Sequence, residues 1–237
     1  MKFLFTFIFL FTSFFGFAQK QFVVDENATV REISGSFNAV QVSSTIHLVL
    51  TKGETESIAV SASNETLKAN IITEIENGVL KIYYNGKGYR SSFNKQLNVY
   101  VSYKNLQSIK ASDACNVLLA DKLIATSLFI KVSDASVVKG EINTDTLELK
   151  VSDASVLKLS GIAKNSDMRC NDASQINALE LDTENAEVFA NDASVIKLTV
   201  TKNLYATAND ASVISYKGSA SLKQSLARDA SVIKKID

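Results

Sequence analysis

The chain has 237 residues with 25 basic and 25 acidic side chains, a length that suits one large or two modest domains. The charge balance gives no electrostatic argument for binding nucleic acid or an anionic membrane surface. One histidine, two cysteines and no proline leave little for triad chemistry or a disulfide framework, and nothing to interrupt long runs of ladder hydrogen bonds.

Residues 1–18 read as a signal peptide. Lys2 is a short positive start, Phe3 to Phe15 an almost wholly apolar run, and Gly16-Phe17-Ala18 a cleavage site of small-x-small type. The run is shorter than the roughly 20 apolar residues a membrane-spanning helix needs, and no cysteine stands near the cleavage site to carry a lipid. Cleavage after Ala18 leaves a chain with 24 basic and 25 acidic side chains and no second apolar run of spanning length. The expectation is an exported protein of the periplasm, the outer surface or the extracellular space.

Residues 19–105 are irregular and strand-rich. "VQVSSTIHLVLTKGETESIAVSAS" alternates as strands around a turn at Lys52-Gly53-Glu54, and "NIITEIENGVLKIYYN" is a hairpin about Asn77-Gly78. A short helical turn at Asn64 to Lys68 has Asn64 as its cap. The segment is expected to be the cap and opening coils of the fold that follows, with a separate small β-domain as the alternative. Within it, "NGKGYRSSFNK" carries Lys87, Tyr89, Arg90 and Phe93, a candidate partner-binding loop. An ordinary long hairpin loop is the plainer reading.

Residues 106–237 repeat a tripeptide. Asp-Ala-Ser starts at Asp134, Asp153, Asp172, Asp192, Asp210 and Asp229, ending in Ser136, Ser155, Ser174, Ser194, Ser212 and Ser231, and Asp113 opens the variant Asp-Ala-Cys. Successive aspartates are 21, 19, 19, 20, 18 and 19 residues apart. A unit of that size cannot bury its apolar face alone, so the units must stack. Leu147, Leu149 and Val151 alternate before Asp153, and Leu157 and Leu159 after it, which means strand, corner, strand. No 3.6-residue stripe persists through a unit. The fold class is all-β: a single-stranded parallel β-helix, or β-solenoid, of about 20 residues per coil.

The corner reads Ser/Asn-Asp-Ala-Ser in most copies. Aspartate tolerates positive φ better than most residues and forms turns with nearby amides. The alanine is expected where only a small group fits between stacked corners, and the serine is expected to bond within the corner or to the next coil. Stacked carboxylates about 4.8 Å apart repel by about 0.9 kcal/mol per neighbour in water. The column therefore needs exposure, hydrogen bonds or cations. Lys139, Lys158, Lys197 and Lys234 each follow a corner aspartate by five residues and form a broken basic column beside it.

The chain resembles a known family, the "putative auto-transporter adhesins" with a "head GIN domain". The resemblance runs through "FNAVQVSSTIHLVL", "ITEIENGVLKIYY", "LNVYVSYKNLQSIKASDAC" and the repeated corners. Members usually carry Ser-Gly-Ala-Ser at the corner, and here aspartate replaces that glycine in every copy. The exchange fits a left-handed position that glycine and aspartate can share. The resemblance implies a β-helical fold, a place in the cell envelope or outside it, and an adhesive role.

Sites for chemistry are sparse. His47, in "TIHLVL", alternates away from Ile46 and Leu48 and reads as an exposed strand residue. Cys115 takes the serine place of one corner, and Cys170 precedes a corner three copies later. About three rungs separate them, beyond the 4.4–6.8 Å that a disulfide allows between Cα atoms. Both read as small buried residues. No nucleotide, phosphate or zinc motif is present, so no cofactor is implied. Calcium solenoids need glycine-rich nine-residue repeats, and this chain has nine glycines in all. The reading is an exported, non-enzymatic scaffold or adhesin-like binding protein with envelope glycans or surface proteins as partners. It is monomeric, or weakly associated through its charged C-terminal coil. A carbohydrate-active enzyme, or a calcium-dependent glycan-binding protein, on a β-helix is the alternative.

Overall fold

The computed structural model describes residues 25–86 and 96–237. Its strands join in one continuous 17-stranded sheet wound as a solenoid of about 7 turns, roughly 19 residues apart. In the regular part each coil is one long bent strand. These strands are β10 (Leu123–Val132), β11 (Val137–Val151), β12 (Val156–Cys170), β13 (Gln175–Ala190) and β14 (Val195–Ala208), each parallel to the next.

Period-two alternation sends every second side chain inward, so the interior is a set of apolar columns at one-coil spacing. Val138 sits beside Leu157 and Ile176 beside Ile196, while Val132, Val151, Cys170, Ala190 and Ala208 form another column. All of these are buried. Each coil contributes too few apolar groups to close a core by itself, so stacking supplies the burial. Each coil therefore has two β-faces, one before the corner and one after it, joined opposite the corner by a bend near Thr144-Asp145-Thr146 and its equivalents.

The first strands are not laid down in sequence order. Strand β2 (Ala39–Val42) lies between β6 (Val79–Tyr84) and β8 (Ser108–Ala111). Likewise β3 (His47–Lys52) lies between β7 (Leu97–Tyr103) and β9 (Asn116–Leu119). The chain thus enters one coil inward, and β6 and β7 stack outside it. Antiparallel strands then cover that end. Strand β4 (Ser57–Ala62) pairs with β7, β1 (Thr29–Arg31) with β4, and β5 (Ile71–Glu76) with β6. The β5–β6 hairpin turns at Asn77 and Gly78, both at positive φ. Helix α1 (Glu65–Ala69) is capped by Asn64, whose side chain accepts the Leu67 N–H at 2.8 Å.

At the other end β15 (Val213–Lys217) is followed by β16 (Ser221–Ala227) and β17 (Val232–Lys235). The inward register of this coil is Leu222, Ser225, Ala227, Ser231, Ile233 and Lys235. Lys235 takes the place that Tyr216 holds one coil earlier, whereas Lys234 is on the outward side. An inward-pointing charge is a device by which sheet edges resist further stacking. The two lysines of the charged C-terminal coil thus have different places.

Candidate functional site

The seven Asp-Ala corners form one column. The Ala135 N–H donates to the Asp153 carbonyl at 2.8 Å, Ala154 to Asp172 at 2.9 Å, Ala173 to Asp192 at 2.8 Å, Ala193 to Asp210 at 2.8 Å and Ala211 to Asp229 at 2.8 Å. The bond from Ala114 to Asp134 starts this series at 2.7 Å. In every copy both the aspartate and the alanine are left-handed, with φ between 49° and 59°. Where Ser136 N–H reaches the Ser133 carbonyl at 3.3 Å, the corner closes as the mirror image of a type I turn, whose usual residues are Gly, Asn and Asp.

Two expectations change here. One left-handed residue was expected per corner, and there are two. The alanine was expected between stacked corners, yet Ala114, Ala135, Ala154, Ala173, Ala193, Ala211 and Ala230 are exposed. Crowding therefore does not account for their small size, and each alanine bears the left-handed cost of about 1–2 kcal/mol that any residue with a Cβ bears.

An eighth corner of this column has no Asp-Ala. Ser43-Ser44-Thr45-Ile46 carries positive φ at Ser44 (74°) and Thr45 (59°), and the Thr45 N–H donates to the Asp113 carbonyl at 2.8 Å. Only its place in the strand pattern "VQVSSTIHLVL" could have marked it.

Beneath the exposed pair the third corner residue builds a buried ladder. The Cys115 N–H donates to Ser136 Oγ at 3.1 Å, Ser136 N–H to Ser155 Oγ at 3.2 Å, and Ser155 N–H to Ser174 Oγ at 3.1 Å. Further along, Ser194 N–H reaches Ser212 Oγ at 3.2 Å, and Ser212 N–H reaches Ser231 Oγ at 3.0 Å. Between Ser174 and Ser194 the ladder shifts. Ser194 Oγ donates instead to the Cys170 carbonyl at 2.7 Å and accepts the Asn191 N–H at 3.0 Å. That shift falls where the spacing lengthens to 20 residues, Asp172 to Asp192. The Cys115 sulfur holds the ladder place facing the Ile46 amide.

The carboxylates lie outside. The Ser133 hydroxyl donates to Asp134 Oδ2 at 2.7 Å, Ser152 to Asp153 at 2.6 Å and Ser112 to Asp113 at 3.2 Å, and the Asn191 amide meets Asp192. All seven aspartates are exposed, where water screens their mutual repulsion. In the basic column Lys139 and Lys158 are neighbours, but Asn177 separates Lys158 from Lys197, and Ser215 separates Lys197 from Lys234. No ion pair among the described residues joins this column to the aspartates.

The opposite bend is charged differently. Lys164 pairs with Asp145, and Lys202 with Glu184 at 2.6 Å, so the sign alternates along Asp145, Lys164, Glu184 and Lys202. The hydrogen bond that Lys164 donates to Asp145, then the charge of that carboxylate, raises the Lys164 pKa. Beside them Asn203 Nδ2 donates to Asn185 Oδ1 at 2.7 Å, and Asn185 Nδ2 to Asn165 Oδ1 at 3.0 Å. Recurrence at the coil spacing was the overlooked signal for both ladders.

His47 is exposed on β3, with Asn98 and Asn116 as its cross-strand neighbours. Among the described residues no three His, Cys, Asp or Glu side chains gather as a metal-ligating group. The signal segment 1–18 and the loop residues Lys87, Tyr89, Arg90 and Phe93 lie outside the described residues. No helix among the described residues is long and apolar enough to cross a membrane.

Cys115 and Cys170 are free and buried, and burial pushes each thiol up to about 11 from 9.0. Between those values the unfolded thiols ionise while the folded ones hold their protons, so stability is full below pH 9 and falls as pH rises toward 11. The expected loss is on the order of 2 kcal/mol per thiol. Cys115→Ser restores the residue of the other corners. It should match the parent in urea melts at pH 7 and flatten the fall above pH 9. An unchanged alkaline slope would contradict this.

Asp153→Gly should be tolerated, because glycine takes φ 59° freely. Asp153→Val should cost about 1–2 kcal/mol through left-handed strain. Equal urea midpoints for the two variants would refute the strain.

The model of the family described as "Putative auto-transporter adhesin, head GIN domain" matches residues 36–220. No curated protein matches the chain. Three solved structures share the fold at low identity. A "putative adhesin" from Bacteroides fragilis NCTC 9343 has a TM-score of 0.80 and 17% identity, covering 89% of this chain and 98% of its own. Another "putative adhesin", from Parabacteroides merdae ATCC 43184, has a TM-score of 0.69 and 19% identity, covering 90% and 98%. A "Putative lipid binding protein" from Parabacteroides distasonis ATCC 8503 has a TM-score of 0.68 and 18% identity, again covering 90% and 98%. The family model spans the eighth corner and all but the last of the seven Asp-Ala corners: this chain belongs to the head GIN domain family of auto-transporter adhesin-like proteins.

Proposed function

We propose that the chain is an exported, non-enzymatic solenoid that serves as an adhesin-like binding scaffold of the cell envelope. The observation that carries this reading is the corner column. Stacked turns, bonded coil to coil through Ala N–H and Asp C=O, hold identical exposed side chains in fixed rows on a packed interior. Such a surface is suited to extended contact with a partner, as in other stacked-repeat proteins. The adhesin names given to similar structures support the same reading.

A glycoside hydrolase would need two carboxylates in unlike environments at one place. The corner aspartates instead repeat one environment and the acids of the opposite bend are paired with lysines, so Glu148, Asp167 and Glu187, stacked before the corner with unlike ion pairing, are the carboxylates on which a sugar-release assay bears. The test is retention of the purified chain on isolated envelope fractions, run with a reducing-end assay and with EDTA. Retention without sugar release, unaffected by EDTA, is expected. Sugar release would establish the enzyme instead, and loss of retention in EDTA would establish the calcium-dependent alternative.

A further inference from the structure

The face before the corner carries a groove of about 370 Å³ that runs along the solenoid axis from Thr146 to Tyr205, within the roughly 300–1,000 Å³ of small-molecule sites. The row Leu147, Ser166, Ala186, Leu204 faces the interior, and the groove lies between the two outward rows beside it, Thr146, Asn165 and Asn185 on one side and Glu148, Asp167, Glu187 and Tyr205 on the other. On the outward row Oδ1 of Asp167 is buried and has no hydrogen-bond partner among the described residues, while its Oδ2 accepts from Arg169. Buried polar atoms are nearly always paired. An unpaired acceptor in the groove wall points to a ligand that brings hydroxyl groups.

The rest of the lining agrees. Asn165 and Asn185 stand side by side in the amide ladder, each with donor and acceptor capacity beyond its ladder bonds. Tyr205 closes one end with a ring 47% exposed, an apolar platform with a polar tip. Glu148 is paired with Lys150 at 2.7 Å and Asp167 with Arg169 at 3.0 Å, while Glu187 has no ion-pair partner among the described residues. The local balance is slightly negative, which disfavours phosphate, sulfate and uronate groups.

We propose that this groove is a binding site for neutral saccharides, with a sugar ring stacked on Tyr205 and its hydroxyls bonded to Asp167 and the Asn165–Asn185 amides. The proposal rests on the adhesin-like reading and supplies its ligand class. The test is calorimetric titration of the full chain with tetrasaccharides of glucose, mannose, xylose and N-acetylglucosamine, and with a galacturonate tetramer as the anionic control. At least one neutral tetrasaccharide should bind. Tyr205→Ala and Asp167→Asn should each weaken it by about tenfold or more with unchanged thermal unfolding. Glu187→Lys, a third surface change, should bring on binding of the galacturonate. Full binding by both Tyr205→Ala and Asp167→Asn, or binding of galacturonate alone by the parent, would overturn the groove. A parent retained on envelope fractions that binds no tetrasaccharide would overturn the saccharide assignment and leave the adhesive reading standing. A parent that does neither would remove both.

Discussion

Gly161→Ala should be among the most damaging single substitutions in the regular coils. Gly161 has φ +110°, a region that residues with a side chain rarely adopt, and an added Cβ would land on the carbonyl oxygen of Ile142 in the preceding coil. The backbone cannot yield locally, because β11 and β12 are in register on both sides of this residue, from Val137↔Val156 to Val151↔Cys170. Backbone strain of about 1–3 kcal/mol and overpacking of about 1–3 kcal/mol add to a loss of roughly 2–6 kcal/mol. Gly218 repeats the arrangement against Val200, with φ +104°, and its alanine variant should behave in the same way. Urea denaturation checks both. A midpoint for Gly161→Ala within error of the parent would mean that the coils are less tightly held than described.

The second large effect is expected at the buried ladder. Ser174 Oγ accepts the N–H of Ser155, and both residues are buried. Ser174→Ala removes that acceptor and strands a main-chain donor away from water, at a cost of about 1–3 kcal/mol. Ser174→Cys should recover part of the loss, because Cys115 already fills the same place in the first Asp-Ala corner. A control at the exposed surface, Ser152→Ala, removes a hydroxyl bonded only to an exposed carboxylate. It should shift the urea midpoint by much less. Equal losses for Ser174→Ala and Ser152→Ala would show that the ladder contributes nothing beyond ordinary surface hydrogen bonds.

Much of the fold was legible because the coil length is written into the chain. Aspartates recurring every 18–21 residues, with alternating apolar residues on either side, leave a stacked β-architecture as the economical solution. Alternation also placed His47 outside, and the Asn-Gly signal placed the hairpin at Asn77-Gly78. Three features were not legible, for physical reasons. The corner Ser43-Ser44-Thr45-Ile46 lacks Asp-Ala, and a left-handed backbone leaves no signature when residues other than Gly, Asn and Asp carry it. The N-terminal strands stack out of sequence order, and no local pattern encodes which strand β2 will join. The alanines were misplaced because small size was read as a sign of crowding, whereas their side chains stand in the open at the surface. On the far bend, Asp145, Lys164, Glu184 and Lys202 alternate in sign at the coil spacing, a pattern visible only once the period is applied to every position and not to the tripeptide alone.

The corner column is the least ambiguous place to test the whole account, because its side chains are exposed while its amides are bonded. Ala135, Ala154, Ala173 and Ala193 lie at the surface, yet each N–H donates across to the aspartate carbonyl of the next coil. Residue-resolved hydrogen exchange by NMR separates burial from bonding at these positions. All four amides should exchange slowly, with protection matching that of the flanking strand amides of Val132 and Val151. Exchange of the alanine amides at the rate of an unstructured chain, with the strands still protected, would contradict this, since the corners would then be loose loops and not rungs.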